Sequence, residues 1–425
     1  MRRREFIAFV DCTAAAWPLL AGAPRIAVHY LIGRNIETTP VARRSMTRRG
    51  RIAGAAMMLA GTLLLVMPAM ADDADRCQKQ SGDVAIAECT RAINSSRYSG
   101  HNLSVLYTKR GFEYGYKGEL DRAIADYNQA IKLDPKDAIA FNNRGNAYKD
   151  KGKLDRAIAD YNQAIQLDPK YEDAFVNRGI AYDHKGEPDR AIADYNQAIQ
   201  LNPKDAIAFN NRGAAYHAKG EFDRAIADYD DAIKLDTNNA GYYNNRGIAY
   251  KAKDDLNRAI ANFNQGIQLD PKSPPSYLNR GLANLYAGSL AKALADFNQS
   301  SALDPKDAYA ALWLDIVSKR SNVASRLAEA TTQIDMTKWP APIIRLYLGQ
   351  MTSQAVLAAA DDPNATTKRG QVCEANFYTG ELELRRGGKD EAARLFRLAA
   401  ADCPKSFYEG PAANAELKAL GANLK

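Results

Sequence analysis

The sequence predicts an all-α protein, a solenoid of stacked antiparallel helix hairpins winding into a right-handed superhelix, and three observations carry that expectation. An Arg-Gly pair recurs every 34 residues, at Arg110-Gly111, Arg144-Gly145, Arg178-Gly179, Arg212-Gly213, Arg246-Gly247 and Arg280-Gly281. Within one period, 138–171, small and aromatic residues fall at Phe141, Gly145 and Tyr148, then at Ala157, Tyr161 and Ala164. Spacings of 4 and 3 in both halves mark two amphipathic helices. Lys151-Gly152-Lys153 separates the helices as a turn, and Asp168-Pro169 closes the unit. A fixed period of this size means identical supersecondary units, each unable to bury its apolar face alone.

The N-terminal 71 residues read differently from the rest. The chain has 425 residues and a formal net charge of +7. Residues 1–71 hold ten arginines against three acids, Glu5, Asp11 and Glu37, so they account for the whole excess. The remainder is neutral, which removes the composition-level argument for nucleic acid or an anionic membrane surface as partner. Residues 46–71 have a basic head (Arg48, Arg49, Arg51), an apolar run from Ile52 to Met67 and an Ala69-Met70-Ala71 end. These are the three parts of a secretory signal peptide, with cleavage expected after Ala71 and export to the periplasm. Retention as a membrane anchor through 52–67 is the alternative, but that run falls short of the ~20 residues of a span. After cleavage no stable membrane insertion is expected. Residues 1–45 carry a second, twin-arginine-like signal at Arg3-Arg4-Glu5-Phe6-Ile7, and are read as an upstream extension. No lipid-attachment motif precedes Cys77.

Residues 72–103 repeat the second-helix pattern once, at Ala85, Cys89 and Ala92, as a partial unit or cap. Six full units follow over 104–307, namely 104–137, 138–171, 172–205, 206–239, 240–273 and 274–307. Gly145 and Ala157 are expected to let the two helices of a hairpin approach closely. The aromatics fill the space between hairpins, and Asp155 is expected to cap the second helix. Asp126, Asp160, Asp194, Asp228 and Asp296 recur in step with the arginines, which predicts a ladder of structural ion pairs.

The aromatic-Gly-Tyr…Ala-aromatic-Ala-Pro pattern resembles the tetratricopeptide repeat (TPR). Departures are Thr237 for Pro, Gly266 and Ser300 for Ala, and Asn284 for Tyr. The period lapses over 308–372, a helical linker, and returns at 373–406 with Gly380, Ala392, Phe396, Ala399 and Pro404, before a capping helix in 407–425. The stretches around Trp313, Leu346 to Gln350 and Glu374 to Gly380 are similar to the C-terminal part of a family of bacterial outer-membrane TPR lipoproteins. That resemblance implies an adaptor that brings cell-wall hydrolases to a tail-specific periplasmic protease.

Four cysteines remain beyond the predicted cleavage point, an even number in an exported chain. Cys77 with Cys89 and Cys373 with Cys403 are the expected disulfides, because Cys373 is read as beginning a first helix and Cys403 as ending the second. No Cys-x-x-Cys pair offers a zinc site, and no metal or cofactor is expected.

Nucleophile, phosphate-loop and metalloprotease motifs are absent from the sequence. His184 and His217, one repeat apart, are read as polar surface. The chain is therefore expected to be a non-enzymatic scaffold, with an enzyme whose site lies in 308–372 as the remaining alternative. If first helices line a concave side, the candidate partner-binding residues are Asn142, Asn146, Lys149, Val176, Ile180, Asn210, His217, Asn244, Ile248, Lys251, Leu278 and Leu282. Their mixture of amides and aliphatics suits an extended peptide or envelope protein. The oligomeric state is left open.

Overall fold

The computed structural model describes residues 73–404 and 407–421, which contain twenty-one helices. The expected signal segments, the upstream extension and the alternative anchor at 52–67 lie outside the described residues. Among the described residues no helix is long and apolar enough to cross a membrane. Two compact units divide the chain at Pro135.

The first unit holds α1 (Asp73–Lys79), α2 (Gly82–Asn94), α3 (Gly100–Tyr116) and α4 (Leu120–Leu133). Helices α1 and α2 form a short hairpin joined by the Cys77–Cys89 disulfide. Both cysteines are fully buried beside Ala92 and Leu106.

The second unit continues the hairpins. They are α5 (Ala138–Asp150) with α6 (Leu154–Leu167), α7 (Glu172–His184) with α8 (Pro188–Leu201), and α9 (Ala206–Lys219) with α10 (Phe222–Leu235). After these come α11 (Ala240–Ala252) with α12 (Leu256–Leu269), and α13 (Pro274–Tyr286) with α14 (Leu290–Leu303). Each second helix packs on the next first helix, and successive first helices also touch one another.

Close approach inside a hairpin is set by the glycine of each Arg-Gly pair. A Cβ on Gly145 would stand 2.6 Å from Cε1 of Tyr161, so the ring of the second helix lies directly on the glycine backbone. Ala157, fully buried on the facing helix, adds no bulk of its own beside that ring. Gly380 faces Phe396 in the same way at 2.8 Å, which gives the C-terminal hairpin the packing of the array.

Capping differs from the expectation. Asp155 lies in the first turn of α6, two residues past the N-cap Lys153, and no side chain caps the helix. Its carboxylate instead receives Lys185 of the next hairpin at 2.7 Å. Side-chain caps sit on several first helices, where Asp137, Asp205, Asn239 and Asp307 accept first-turn amides, and on one second helix, α12, where Asp255 accepts from the amide of Arg258.

Stacking register is fixed by two repeating links. Arg178 forks onto Asp194 of its own hairpin at 2.6 and 2.8 Å and reaches back to Asn162 at 2.7 Å. Arg212 does the same with Asp228 and Asn196, and Arg280 with Asp296 and Asn264. Each guanidinium therefore ties three helices, which a flexible ammonium could not do with the same geometry. Lysines supply the second link, Lys185 to Asp155, Lys219 to Asp189 at 2.8 Å, and Lys253 to Asp223. Asn284, where the repeat pattern has Tyr, donates to Asp296 at 2.9 Å and so joins the ion pair.

The segment 308–372 is more ordered than its lost period implies. Helix α15 (Ala308–Arg320) packs on α14 as a further first helix, followed by α16 (Leu327–Ala330), α17 (Ala341–Tyr347) and α18 (Ser353–Ala359). Helix α19 (Ala365–Arg385) and α20 (Lys389–Asp402) form the last hairpin, and α21 (Glu409–Ala419) packs on both. Cys373 does not begin a first helix: α19 starts eight residues earlier, because Asn364 caps it through Thr366 and Thr367. The Cys373–Cys403 disulfide nevertheless forms, since the two helices are antiparallel. Trp313, Phe377 and Phe396 centre one large apolar cluster that also takes in Leu278, Leu282 and Leu285.

Candidate functional site

The candidate site is the face of the first helices turned away from the second helices. Three of its predicted amides are not open to solvent. Asn142, Asn210 and Asn244 are buried, and each accepts a hydrogen bond from the asparagine one repeat and one residue further on. The bonds are Asn177 to Asn142 at 3.0 Å, Asn245 to Asn210 at 2.9 Å and Asn279 to Asn244 at 3.3 Å. First helices lie side by side, so these positions fall between helices and the amides satisfy each other there. Asn142 also donates to the hydroxyl of Tyr171 at 3.2 Å. Val176 takes the same position in its hairpin and is buried as well.

Leu278 and Leu282 are likewise not an open apolar end, since they belong to the core that the C-terminal elements complete. Their burial depends on residues more than thirty positions away, which no period within the array reports. His217 is buried with its ring 5.2 Å from Phe222. Burial, with Lys251 nearby, pushes its imidazole down to about 4, so it is neutral at physiological pH. His184 is exposed.

Asn146, Lys149, Ile180, Ile248 and Lys251 keep partial exposure, and Ile139 is exposed. Asn146 accepts from the Tyr161 hydroxyl at 2.7 Å, and Asp183 accepts from Tyr195 at 2.7 Å. Those bonds fix the polar floor of the face from beneath, because each tyrosine belongs to the second helix. Burial pushes the Asp183 carboxyl up to about 7 despite the tyrosine donor. Glu172 is pushed up to about 8, first by burial and then by its hydrogen bond with Asp205. The open part of the face thus runs across α5 and α7 and carries isoleucines, amides, one lysine and carboxyls held short of full ionisation. Such a surface can hydrogen-bond an extended backbone and accept small apolar side chains. Among the described residues no group of His, Cys, Asp and Glu is placed to hold a metal ion.

The hairpins match known proteins. The family described as TPR repeat matches residues 111–152, 145–186, 184–220, 215–254 and 249–288. Similar solved structures include the APC/C hetero-tetramer Cut9–Hcn1, at 19% identity and a TM-score of 0.47, over 55% of this chain and 48% of that one. This chain therefore spans about half the length of that relative. MamA is similar at 29% identity and a TM-score of 0.36, over 38% of this chain and 95% of that one. PilW, a type IV pilus biogenesis factor, is similar at 20% identity and a TM-score of 0.47, over 51% and 98%. The 34-residue hairpins between 111 and 288 are thus tetratricopeptide repeats.

Proposed function

We propose that the protein is a non-enzymatic interaction scaffold of the bacterial cell envelope, which holds an extended segment of a partner against the first-helix face of α5 and α7. One observation carries this reading: Ile139, Asn146, Lys149 and Ile180 stay accessible on a face whose other end is closed by the chain itself. Ordered repeats with a partly apolar surface and, among the described residues, no cluster placed to hold a metal suit recognition rather than turnover. The envelope assignment rests on the export pattern of 46–71 and on the two disulfides, which suit an oxidising compartment. An adaptor for a periplasmic protease or a wall hydrolase is the narrower form of the same reading.

Affinity capture from periplasmic extract tests it. The wild-type protein should retain a reproducible partner, and Ile180→Arg, which leaves helix α7 intact, should lose it. Equal capture by both proteins would refute this face as the binding surface.

A further inference from the structure

The first-helix face of α11 and α13 is covered by the chain's own C-terminal end. The ring of Tyr408 lies 4.7 Å from Nζ of Lys251, and Lys418 reaches Asp254 at 3.2 Å. Leu278, Leu282 and Leu285 share one apolar cluster with Ala412, Ala413 and Leu417 of α21. Behind the first turn of α21 stand two buried carboxyl groups, Glu374 of α19 at 3% exposure and Glu409 of α21 at 2%.

Hydrogen bonds place both groups. Glu374 accepts from the Tyr309 hydroxyl at 3.0 Å and from the Trp339 indole at 2.5 Å. Glu409 accepts from the Tyr378 hydroxyl at 3.0 Å. Lys251 of α11 and Tyr286 of α13 act on Glu409, while Asp307 at the head of α15 and Tyr347 of α17 act on the donors Tyr309 and Tyr378. Arg320 of α15 is already shared by Glu381 at 2.7 Å and Glu416 at 2.9 Å. The cation acting on Glu409 is Lys251, which belongs to the array, and the groups holding Glu374 are neutral donors.

We propose that α21 is a proton-operated cover: it closes on α11 and α13 while the Glu374 and Glu409 pair holds a proton, and it lifts when both are ionised, exposing Leu278, Leu282 and Lys251 to a partner. Two buried carboxylates repel, and movement of α21, the last described helix of the chain, relieves them. Burial and the neighbouring Glu409 hold Glu374 well above the usual carboxylate range, and burial raises Glu409 to about 7. The direction follows from those raised values. An exposed carboxyl ionises near 4.5 while the covered one waits until about 7, so closure is strongest in acid and weakens as pH rises between those values. This cover stands whether or not the α5 and α7 face binds a partner.

Hydrogen exchange of the full-length protein decides it. Corrected for intrinsic rates, protection of the α21 amides should fall on the order of 100-fold between pH 5 and pH 8, while α15 and α19 stay protected. Glu374→Gln with Glu409→Gln should keep α21 protected at both pH values; if the double variant does not fold, Glu409→Gln alone should reduce the fall. A flat wild-type profile, or a fall of the same size in the variant, overturns the proposal.

Discussion

Asn245 donates its side-chain amide to Asn210 at 2.9 Å, joining two first helices one repeat apart. The rung before it is broken. Asn211 occupies the donor position, but the residue 35 places earlier is Val176, and the buried Nδ2 of Asn211 has no acceptor. Asn245→Ala should therefore strand the Asn210 oxygen and cost about 1–2 kcal/mol. Asn211→Ala removes that unsatisfied donor together with the oxygen that accepts from Asn210 Nδ2 at 3.3 Å, so it exchanges one stranded donor for another and should cost less than Asn245→Ala. Urea denaturation of the two variants measures the difference.

The ring of Tyr161 on Gly145 leaves no room for a methyl group. Gly145→Ala would bring Cβ to 2.6 Å from a ring that is itself fully buried. Destabilisation of about 1–3 kcal/mol is expected, the range for overpacking a filled core. Differential scanning calorimetry should show a lowered melting temperature.

Asp254 stands where the other hairpins of the array turn on glycine, and it keeps the positive φ of 61°. Its carboxylate reaches Lys418, but both side chains are largely exposed, so the pair contributes little. Asp254→Gly relieves the left-handed backbone and should stabilise the protein by about 0.5–1 kcal/mol. Chemical denaturation gives the sign directly.

Asp183 predicts a pH dependence. Its carboxyl rests at about 7 instead of 3.8, so its contribution to stability is complete below about pH 4 and is lost as pH rises to about 7. Asp183→Asn keeps an acceptor for the Tyr195 hydroxyl and does not ionise. The difference between the two stability profiles should change by on the order of 2 kcal/mol across that interval. A constant difference would remove Asp183 as its source.

The hairpins were legible because their determinants are local. Gly145 with Tyr161, and Arg144 with Asp160, lie sixteen residues apart and recur with the period, so the ion-pair ladder could be read from spacing. Asp155 misled because a carboxylate at the start of a helix has the same appearance whether it caps its own backbone or receives a lysine from the next unit. Asn142, Asn210 and Asn244 misled because helical periodicity gives the side of a helix a residue lies on, and not how near the neighbouring helix stands. Leu278 and Leu282 required knowledge of what covers them, and α15 to α21 lack the period that would have announced it.

Among the described hairpins α5 to α14, the repeating lysine and arginine links each join one unit to the adjacent unit. Excising a whole 34-residue module from the interior would bring the same donor against the same acceptor, so the number of modules is free to change without a new interface being invented. That freedom stops at Ala287 and Asn257, where the lysine link has no counterpart and Lys418 enters the cleft instead. Growth and loss of repeats can therefore proceed upstream of this point, while the junction with the C-terminal helices is inherited as one piece.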